Sequence, residues 1–388
     1  MVFTTFNLIF FILLIALSRL TPKKLVSLLY VLAGIIFLYK YSFICLLLWI
    51  GVSLILIFHY GFKEYWIRTM GWLASILLLI IAFKLEINLK PTFSFEIMLL
   101  FIYNLARAWS LYRSFPAFSN KSPKINDIIS YLWFPPILFS GPIERFEEFQ
   151  KMHHGKKTVC FYSVTKYLLS AISNGIAAFV LIKNFNPLLF DFNKATLVYL
   201  LIYLVQASLL VAFQFIAWIH LVRAVCHMMG YNFSRPNFQK FLTAGGLIEF
   251  WISWNMSFTK FVRDYVFFPK NRIPTTKEFL ARLVLAFTIY GPMHGISPNF
   301  FLWGLLQATG LIIQSSYRIL RRRVYLFQVF EIAFPHILKI AITLSWLVIT
   351  TPLLLPEGST LYTNLWIKIS DLIPAAIEIA TNLLNSDW

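Results

Sequence analysis

Long stretches without a charged side chain constrain this sequence more than any other feature. Four such runs occupy residues 41–62, 195–222, 283–317 and 340–356. A helix needs about 20 apolar residues to cross the hydrocarbon core of a bilayer, and several of these runs reach that length. Only 13% of all residues are charged, against roughly 25% in soluble domains. The sequence therefore predicts a protein that crosses a membrane several times.

The predicted fold class is all-α, a polytopic membrane helix bundle with about 10–12 transmembrane or re-entrant helices. No linker and no internal repeat divides the sequence, so residues 1–388 are interpreted as one membrane-embedded domain. The first apolar segment lacks a basic start and a cleavage site, and we expect it to be a retained helix. Helices are predicted near residues 3–19, 25–39, 41–62, 69–84, 95–112, 128–140, 163–183, 195–226, 283–297, 300–317, 335–356 and 364–384.

The net charge of +18 bears on partners and on orientation. Basic residues of membrane proteins concentrate in cytoplasmic loops, where they also attract anionic lipid head groups. We therefore expect membrane lipids, and no nucleic acid, among the partners. The three cysteines are scattered and predict neither a disulfide framework nor a metal site.

One histidine, His294, interrupts the longest uncharged run. Arg282 and Arg318 flank this run of 35 residues, which is long enough to cross the membrane and return. At 1.5 Å per helical residue, His294 is predicted about 18 Å beyond Arg282, deep in the bilayer. An ionisable residue at that depth indicates a functional site, and the alternative is a hydrogen bond that joins two helices. Burial disfavours the imidazolium, so we expect a neutral ring, the form that a general base requires.

The segment from 249 to 272 contains a second regular pattern. Apolar residues spaced three and four apart predict one helix face formed by Trp251, Trp254, Phe258, Val262 and Tyr265. Asn255 is predicted beside that face. The pattern is also typical of an amphipathic helix at the membrane interface. Adjacent helix positions do not face each other, so Arg263 and Asp264 are expected to pair with partners elsewhere.

The other histidines predict no metal site. His153 and His154 are expected in a solvated loop, because three or four converging ligands are needed to hold a metal. His220 and His227 are seven residues apart, so on one helix they share a face. A structural role is expected for them.

One set of motifs stands out, which comprises Trp251, Trp254 to Ser257, Arg263 to Tyr265, Pro269, His294-Gly295, residues 300–306, the Gly-Pro-Ile turn within 140–149 and the stretch 230–242. Together these motifs resemble those of the membrane-bound O-acyltransferase (MBOAT) family, most densely over residues 230–310. The resemblance extends over most of the chain. The N-terminal segment of the chain resembles that of the family branch that O-acetylates alginate or transfers D-alanine to teichoic acids. His294 follows the signature asparagine, Asn255, by 39 residues.

The resemblance implies a central tunnel in which an acyl group passes from a thioester donor to a hydroxyl. His294 would be the general base, and Asn255 would stabilise the oxyanion or orient the acyl carbonyl. The residues expected to bind substrate are Trp251, Trp254, Ser257, Arg263, Asp264 and Trp303. No resident cofactor and no metal is implied, because the donor, acyl-CoA or an acyl carrier protein, is a co-substrate.

The resemblance further implies a cell-envelope glycan as the acceptor, an acetyl-type group, a bacterial inner membrane and a secreted or periplasmic acyltransferase as a partner. The family resemblance also allows another acceptor, because an asparagine at the position of Asn255 is commoner in the branches that acylate lipids and proteins. A lysophospholipid acyltransferase is therefore the alternative enzyme. A transporter or an inactive scaffold is the alternative outside enzymes.

Overall fold

The chain is all-helical throughout the part that the structure, a computed structural model, describes. This part comprises residues 4–60, 95–114, 123–138, 141–155, 157–184, 196–233, 236–267, 275–291, 294, 298–325 and 335–354, with the single positions 363, 367 and 374. No strand occurs among these residues. The predicted helices near 69–84 and 364–384 lie outside the described residues, apart from those single positions.

Seven helices form the first half of the described chain. They are α1 (Thr5–Leu20), α2 (Val26–Tyr41), α3 (Phe43–Tyr60), α4 (Phe95–Ser114), α5 (Ile125–Leu132), α6 (Phe146–His154) and α7 (Phe161–Asn184). Six more follow, which are α8 (Leu197–Met228), α9 (Leu247–Ser253), α10 (Met256–Val262), α11 (Thr276–Tyr290), α12 (Pro298–Arg323) and α13 (His336–Thr350).

Within the described residues, four helical stretches are long and apolar enough to cross a bilayer, judged by length and composition alone. They are Lys23–Tyr41, Phe161–Asn184, Leu197–Met228 and His336–Leu354. Large apolar side chains on them, such as Phe179 and Val198, are exposed at 65%. Since lipid tails are themselves apolar, such an exterior suits a helix that faces lipid. The protein is an integral membrane protein, as the sequence predicted.

Two predicted boundaries were wrong for local reasons. The helix predicted to reach residue 140 ends at Leu132, and a short 3₁₀ turn follows at Pro135–Ile137. Consecutive prolines provide no N–H group to continue an α-helix. The helix predicted to start at 283 begins seven residues earlier, at Thr276. Thr275 and Glu278 form a capping box that satisfies the free N–H groups there.

A second core cluster, separate from the large one around α2, α5 and α8, supports the region of the signature motifs. It joins α9, α11, α12 and α13 through buried side chains that include Trp251, Leu283, Trp303 and Leu311. Helices α9, α11 and α12 carry Trp251, Tyr290 and Trp303, and the last two contact His294. The site is therefore built on packed helices.

Candidate active site

The helix predicted over the signature motif is broken in two at Asn255. α9 ends at Ser253, α10 begins at Met256, and Asn255 between them has φ 45° and ψ 54°. Asparagine tolerates this left-handed conformation better than most residues. The prediction of one continuous helix face was therefore wrong, and the break leaves the Asn255 side chain only 2% exposed.

Hydrogen bonds fix the orientation of the Asn255 carboxamide. Its Oδ1 accepts from Asn237 Nδ2 at 3.0 Å and from Ser257 Oγ at 3.4 Å, while its Nδ2 donates to the Tyr103 hydroxyl at 3.2 Å. Asn237 Oδ1 in turn accepts from the Ser257 backbone N–H at 3.0 Å. An amide nitrogen carries two N–H groups, and the bond to Tyr103 uses one of them.

Two aromatic rings contact the His294 imidazole. The ring meets Tyr290 and Trp303 edge to face, with centroids 5.0 and 5.1 Å apart. Both of its nitrogens are shielded from solvent, and its backbone N–H donates to the Gly291 carbonyl at 2.9 Å. Trp251 contacts both Tyr290 and Trp303, with centroid distances of 5.9 and 6.0 Å. The imidazole therefore lies at one edge of a packed aromatic group.

Tyr290 connects this aromatic group to Asn255. Its ring stacks on Phe258 with centroids 4.5 Å apart, and its hydroxyl interacts with the Asn255 side chain. The two residues predicted to be catalytic thus both contact Tyr290. No sequence pattern indicated Tyr103, and Asn237 was indicated only as part of the family-like stretch 230–242. Tyr290 lies four residues before His294, about one helical turn.

Two glycines allow the helices on either side of His294 to approach closely. A Cβ atom at Gly291 would lie 2.1 Å from the Phe300 carbonyl oxygen, and one at Gly304 would lie 2.2 Å from that of Phe287. Phe287 lies against Gly304, and Gly291 lies against Phe300, so α11 and α12 run antiparallel. This is the direction expected if the uncharged run of residues 283–317 crosses the membrane and returns. Small residues commonly permit such contacts between membrane helices. This contact places Trp303 against His294.

A cavity of about 400 Å³ opens beside the Asn255 network. Asn237 and Ser257 line it, together with charged residues that include Glu144, Glu148, Lys260 and Arg263. A second, mostly apolar cavity of about 280 Å³ borders Trp251, Phe258 and Tyr290, and it shares Ile252, Thr259 and Arg263 with the first. Ligand sites in proteins measure about 300–1,000 Å³, so the polar cavity can hold a substrate group.

The carboxylates of the polar cavity are electrostatically coupled. Burial and the neighbouring Glu148 raise the pKa of Glu144 to about 8. Burial alone would raise the pKa of Glu148 as well, but the hydrogen bond from Lys260 holds it below its usual value. Near neutral pH, Glu144 is therefore largely protonated beside an ionised Glu148.

The structure separates some of the residues predicted to bind substrate. Trp251 and Trp303 lie against His294 or its neighbours, and Ser257 contacts Asn255. Trp254 instead packs among phenylalanines, with Phe238 and Phe241 at 4.9 and 5.0 Å. Among the described residues, the Trp254 ring contacts only phenylalanine rings and none of Tyr290, Trp303 and His294.

Asp264 forms a salt bridge with Arg145, a partner far away in the sequence, as expected. The Asp264 carboxylate also accepts a hydrogen bond from Arg263 Nε at 2.9 Å. The expectation that Arg263 and Asp264 do not meet was therefore wrong. The chain forms a π-helical turn at Arg263–Phe267, and this wider turn departs from the α-helical spacing on which the expectation rested.

Four other histidines have structural partners. His153 and His154 end helix α6, so the prediction of a loop was wrong; His153 bonds the Tyr231 hydroxyl at 2.7 Å and His154 bonds Asp127 at 2.9 Å. His220 and His227 both contact the Tyr167 ring, which confirms their shared face. Among the described residues, no three His, Cys, Asp or Glu side chains are arranged to hold a metal ion.

Comparison with known proteins places this chain among acyl-transferring enzymes of the bacterial cell envelope by similarity. The chain is 24% identical over 198 residues to a teichoic acid D-alanyltransferase of Bacillus subtilis, which covers 47% of this chain and 50% of that protein. It is 30% identical over 122 residues to a peptidoglycan O-acetyltransferase of Helicobacter pylori, and this match covers 30% of this chain and 21% of that protein. It is 32% identical over 94 residues to a probable alginate O-acetylase of Azotobacter vinelandii, and this match covers 24% of this chain and 18% of that protein.

The chain therefore matches about half the length of the D-alanyltransferase and less of the other two relatives. The family model has a much wider reach, because it matches residues 5–340 and so includes Asn255, His294 and every helix from α1 to α12. The chain belongs to the membrane-bound O-acyltransferase family, MBOAT.

Proposed function

We propose that this protein transfers an acyl group, of the acetyl type, from a thioester donor to a hydroxyl of a cell-envelope glycan. The single observation that carries the proposal is the contact of both His294 and Asn255 with Tyr290. A general base and an amide donor close to one another are the groups that acyl transfer to a hydroxyl requires.

His294 acts as the base in this proposal. Its neutral ring takes the proton of the acceptor hydroxyl while that oxygen attacks the thioester carbonyl. The C–O bond forms, the carbonyl becomes an oxyanion, and collapse of this intermediate breaks the C–S bond. The proton held by His294 then passes to the departing thiolate, so the products are an ester and a thiol.

In this proposal Asn255 stabilises the oxyanion through its amide N–H groups, which without substrate are directed to the hydroxyls of Tyr103 and Tyr290. Its bonds to Asn237, Ser257 and Tyr103 hold the amide in place before the reaction begins, and such preorganisation is what makes a donor effective. The packed rings of Trp251, Tyr290 and Trp303 exclude water, which limits hydrolysis of the thioester.

The acyl donor is acyl-CoA or an acyl carrier protein, and the polar cavity beside Ser257 is where its polar part approaches. The relatives are named for transfer to teichoic acid, peptidoglycan or alginate, which supports a glycan or related polymer as the acceptor. All of them are bacterial, which supports a bacterial inner membrane. A secreted or periplasmic acyltransferase partner belongs to the same proposal.

The test compares cells that lack the protein with cells that carry the wild type or His294→Ala. Mass spectrometry of envelope glycans and lipids is expected to show one glycan ester lost without the protein. Wild type restores that ester and His294→Ala does not. His154→Gln, which removes a remote histidine, is the matched control and restores the ester.

Each contrary outcome has a defined meaning. A changed acyl pattern in phospholipids with all glycan esters intact would replace the glycan assignment with lysophospholipid acylation. Restoration by His294→Ala would remove His294 as the base. An unchanged ester profile in cells without the protein would contradict transferase activity and favour a transporter or an inactive scaffold.

A further inference from the structure

A third cavity lies apart from the two at the candidate active site. It measures about 680 Å³ and lies between the start of α9, the second half of α12 and the first half of α13. It shares no lining residue with the cavities beside Asn255 and Tyr290. The acyl-transfer proposal leaves this cavity unused.

Positive charge dominates the polar end of this cavity. Arg318, Arg321 and Arg322 line it from α12, where spacings of three and four place them on one helix face. Lys339 lines it from α13. The one carboxylate among the lining residues is Glu249, which accepts from Arg318 at 3.3 Å. Four basic side chains therefore line the cavity with one carboxylate, and this balance favours a negatively charged ligand.

The rest of the wall is apolar. Ile313 precedes the arginines on α12, and Ile342 and Trp346 follow Lys339 on α13. Both helices thus change from apolar to cationic at the same end of the cavity. The candidate membrane span begins at His336, and Lys339 lies one turn inside it. Cations at the end of an apolar helix lie at the level of the lipid head groups.

We propose that this cavity binds the phosphate group of an anionic phospholipid. Guanidinium groups suit phosphate because they offer paired donors in a fixed plane, and Arg318 and Arg322 provide two of them beside Lys339. An acyl chain of the lipid lies along Ile313, Ile342 and Trp346. A soluble phosphate ester would use the same cations but would leave this apolar wall without a partner.

Binding at this cavity would stabilise the helices that support the active site. Leu247 and Glu249 of α9 form one wall of the cavity. Trp251, which contacts the rings next to His294, lies two residues after Glu249 on the same helix. Because a ligand that binds only the folded state raises its stability, the lipid is expected to raise the unfolding temperature. This inference does not depend on which acyl acceptor the protein uses.

The test uses the full chain in neutral detergent with three probes, which are phosphatidylglycerol, phosphatidylcholine and inorganic phosphate. Thermal unfolding and native mass spectrometry are expected to show a raised unfolding temperature and a retained adduct with phosphatidylglycerol alone. Arg322→Gln is expected to weaken that binding at least tenfold, and Arg318→Gln with Arg322→Gln to abolish it. Arg323→Gln removes the same charge from the same helix outside the cavity and is expected to bind like wild type.

Three results would overturn the proposal. Equal retention of phosphatidylcholine would show that charge is not recognised. Stabilisation by inorganic phosphate at a concentration similar to that of phosphatidylglycerol would assign the site to a soluble phosphate. Wild-type binding by Arg322→Gln and by the double variant would place the lipid elsewhere. His294→Ala is expected to bind phosphatidylglycerol normally, so this test and that of the proposed function succeed or fail separately.

Discussion

Tyr290 and His294 lie one helical turn apart along the chain, and their rings meet edge to face with centroids 5.0 Å apart. The hydroxyl of Tyr290 interacts with Asn255. A single tyrosine thus touches both residues assigned to the chemistry. This contact joins the end of α11 to the break between α9 and α10.

Replacing His294 tests the general base. His294→Gln keeps a polar side chain of similar size but cannot take a proton, and general base catalysis contributes about 10²–10⁴ in rate. We expect kcat to fall by that factor while the unfolding temperature stays near that of wild type. The measurement is single-turnover transfer from a labelled thioester. Wild-type turnover in His294→Gln would exclude the role.

Two substitutions of Asn255 separate its amide from its backbone conformation. Asn255→Gly removes the amide but accepts the positive φ, whereas Asn255→Ala removes the amide and is strained there by about 1–2 kcal/mol. Loss of one oxyanion donor costs about 10²–10³ in kcat. We expect both variants to lose turnover equally with little change in donor binding. Both also lose stability, because the partners Asn237, Ser257 and Tyr103 are left without the amide, and Asn255→Ala loses more because of its backbone strain.

Turnover and donor affinity, measured with thermal unfolding, check this prediction. A large loss of donor affinity with normal turnover would contradict the oxyanion role. If Asn255→Gly were as active as wild type, the amide would have a structural role only.

Gly304→Ala tests the close contact of α11 and α12. The added Cβ would lie 2.2 Å from the Phe287 carbonyl oxygen, which belongs to the backbone and cannot turn aside. Overpacking of this kind costs about 1–3 kcal/mol. We expect a lower unfolding temperature, and reduced activity because Trp303 moves relative to His294. Ser316→Ala, an exposed site on the same helix, is the control and should match wild type.

Glu144 predicts a pH dependence of stability. Its pKa in the folded protein, about 8, exceeds its ordinary value of 4.5, so folding favours the protonated carboxyl. This contribution is fully present below pH 4.5 and is lost as the pH rises through about 8. Glu144→Gln cannot ionise, and we expect its stability to fall less than that of wild type between these pH values.

Thermal unfolding from pH 5 to pH 9 measures the difference, with both proteins in the same detergent. Glu147→Gln removes a carboxyl from the adjoining helix α6 and is the control. Parallel pH profiles for wild type and Glu144→Gln would show that Glu144 is not the group responsible.

The sequence by itself determined the class of the protein and the positions of most described helices. Uncharged runs report membrane helices because each residue meets the same apolar solvent, whatever its neighbours are. His294 was identifiable for the same reason, since one ionisable group stands out in such a run. The family motifs added Asn255, but the regular apolar spacing around it predicted a continuous helix that does not exist.

Only the tertiary structure decided what holds these residues. Tyr103 lies 152 residues before Asn255 and Asn237 lies 18 before it, and no periodicity links them. Trp251 and Trp254 looked equivalent in the apolar pattern, yet one contacts the rings around His294 and the other packs among phenylalanines. Hydrogen bonds and ring contacts depend on which distant helices approach one another. That approach is set by packing, such as the Gly291–Gly304 contact, and not by local composition.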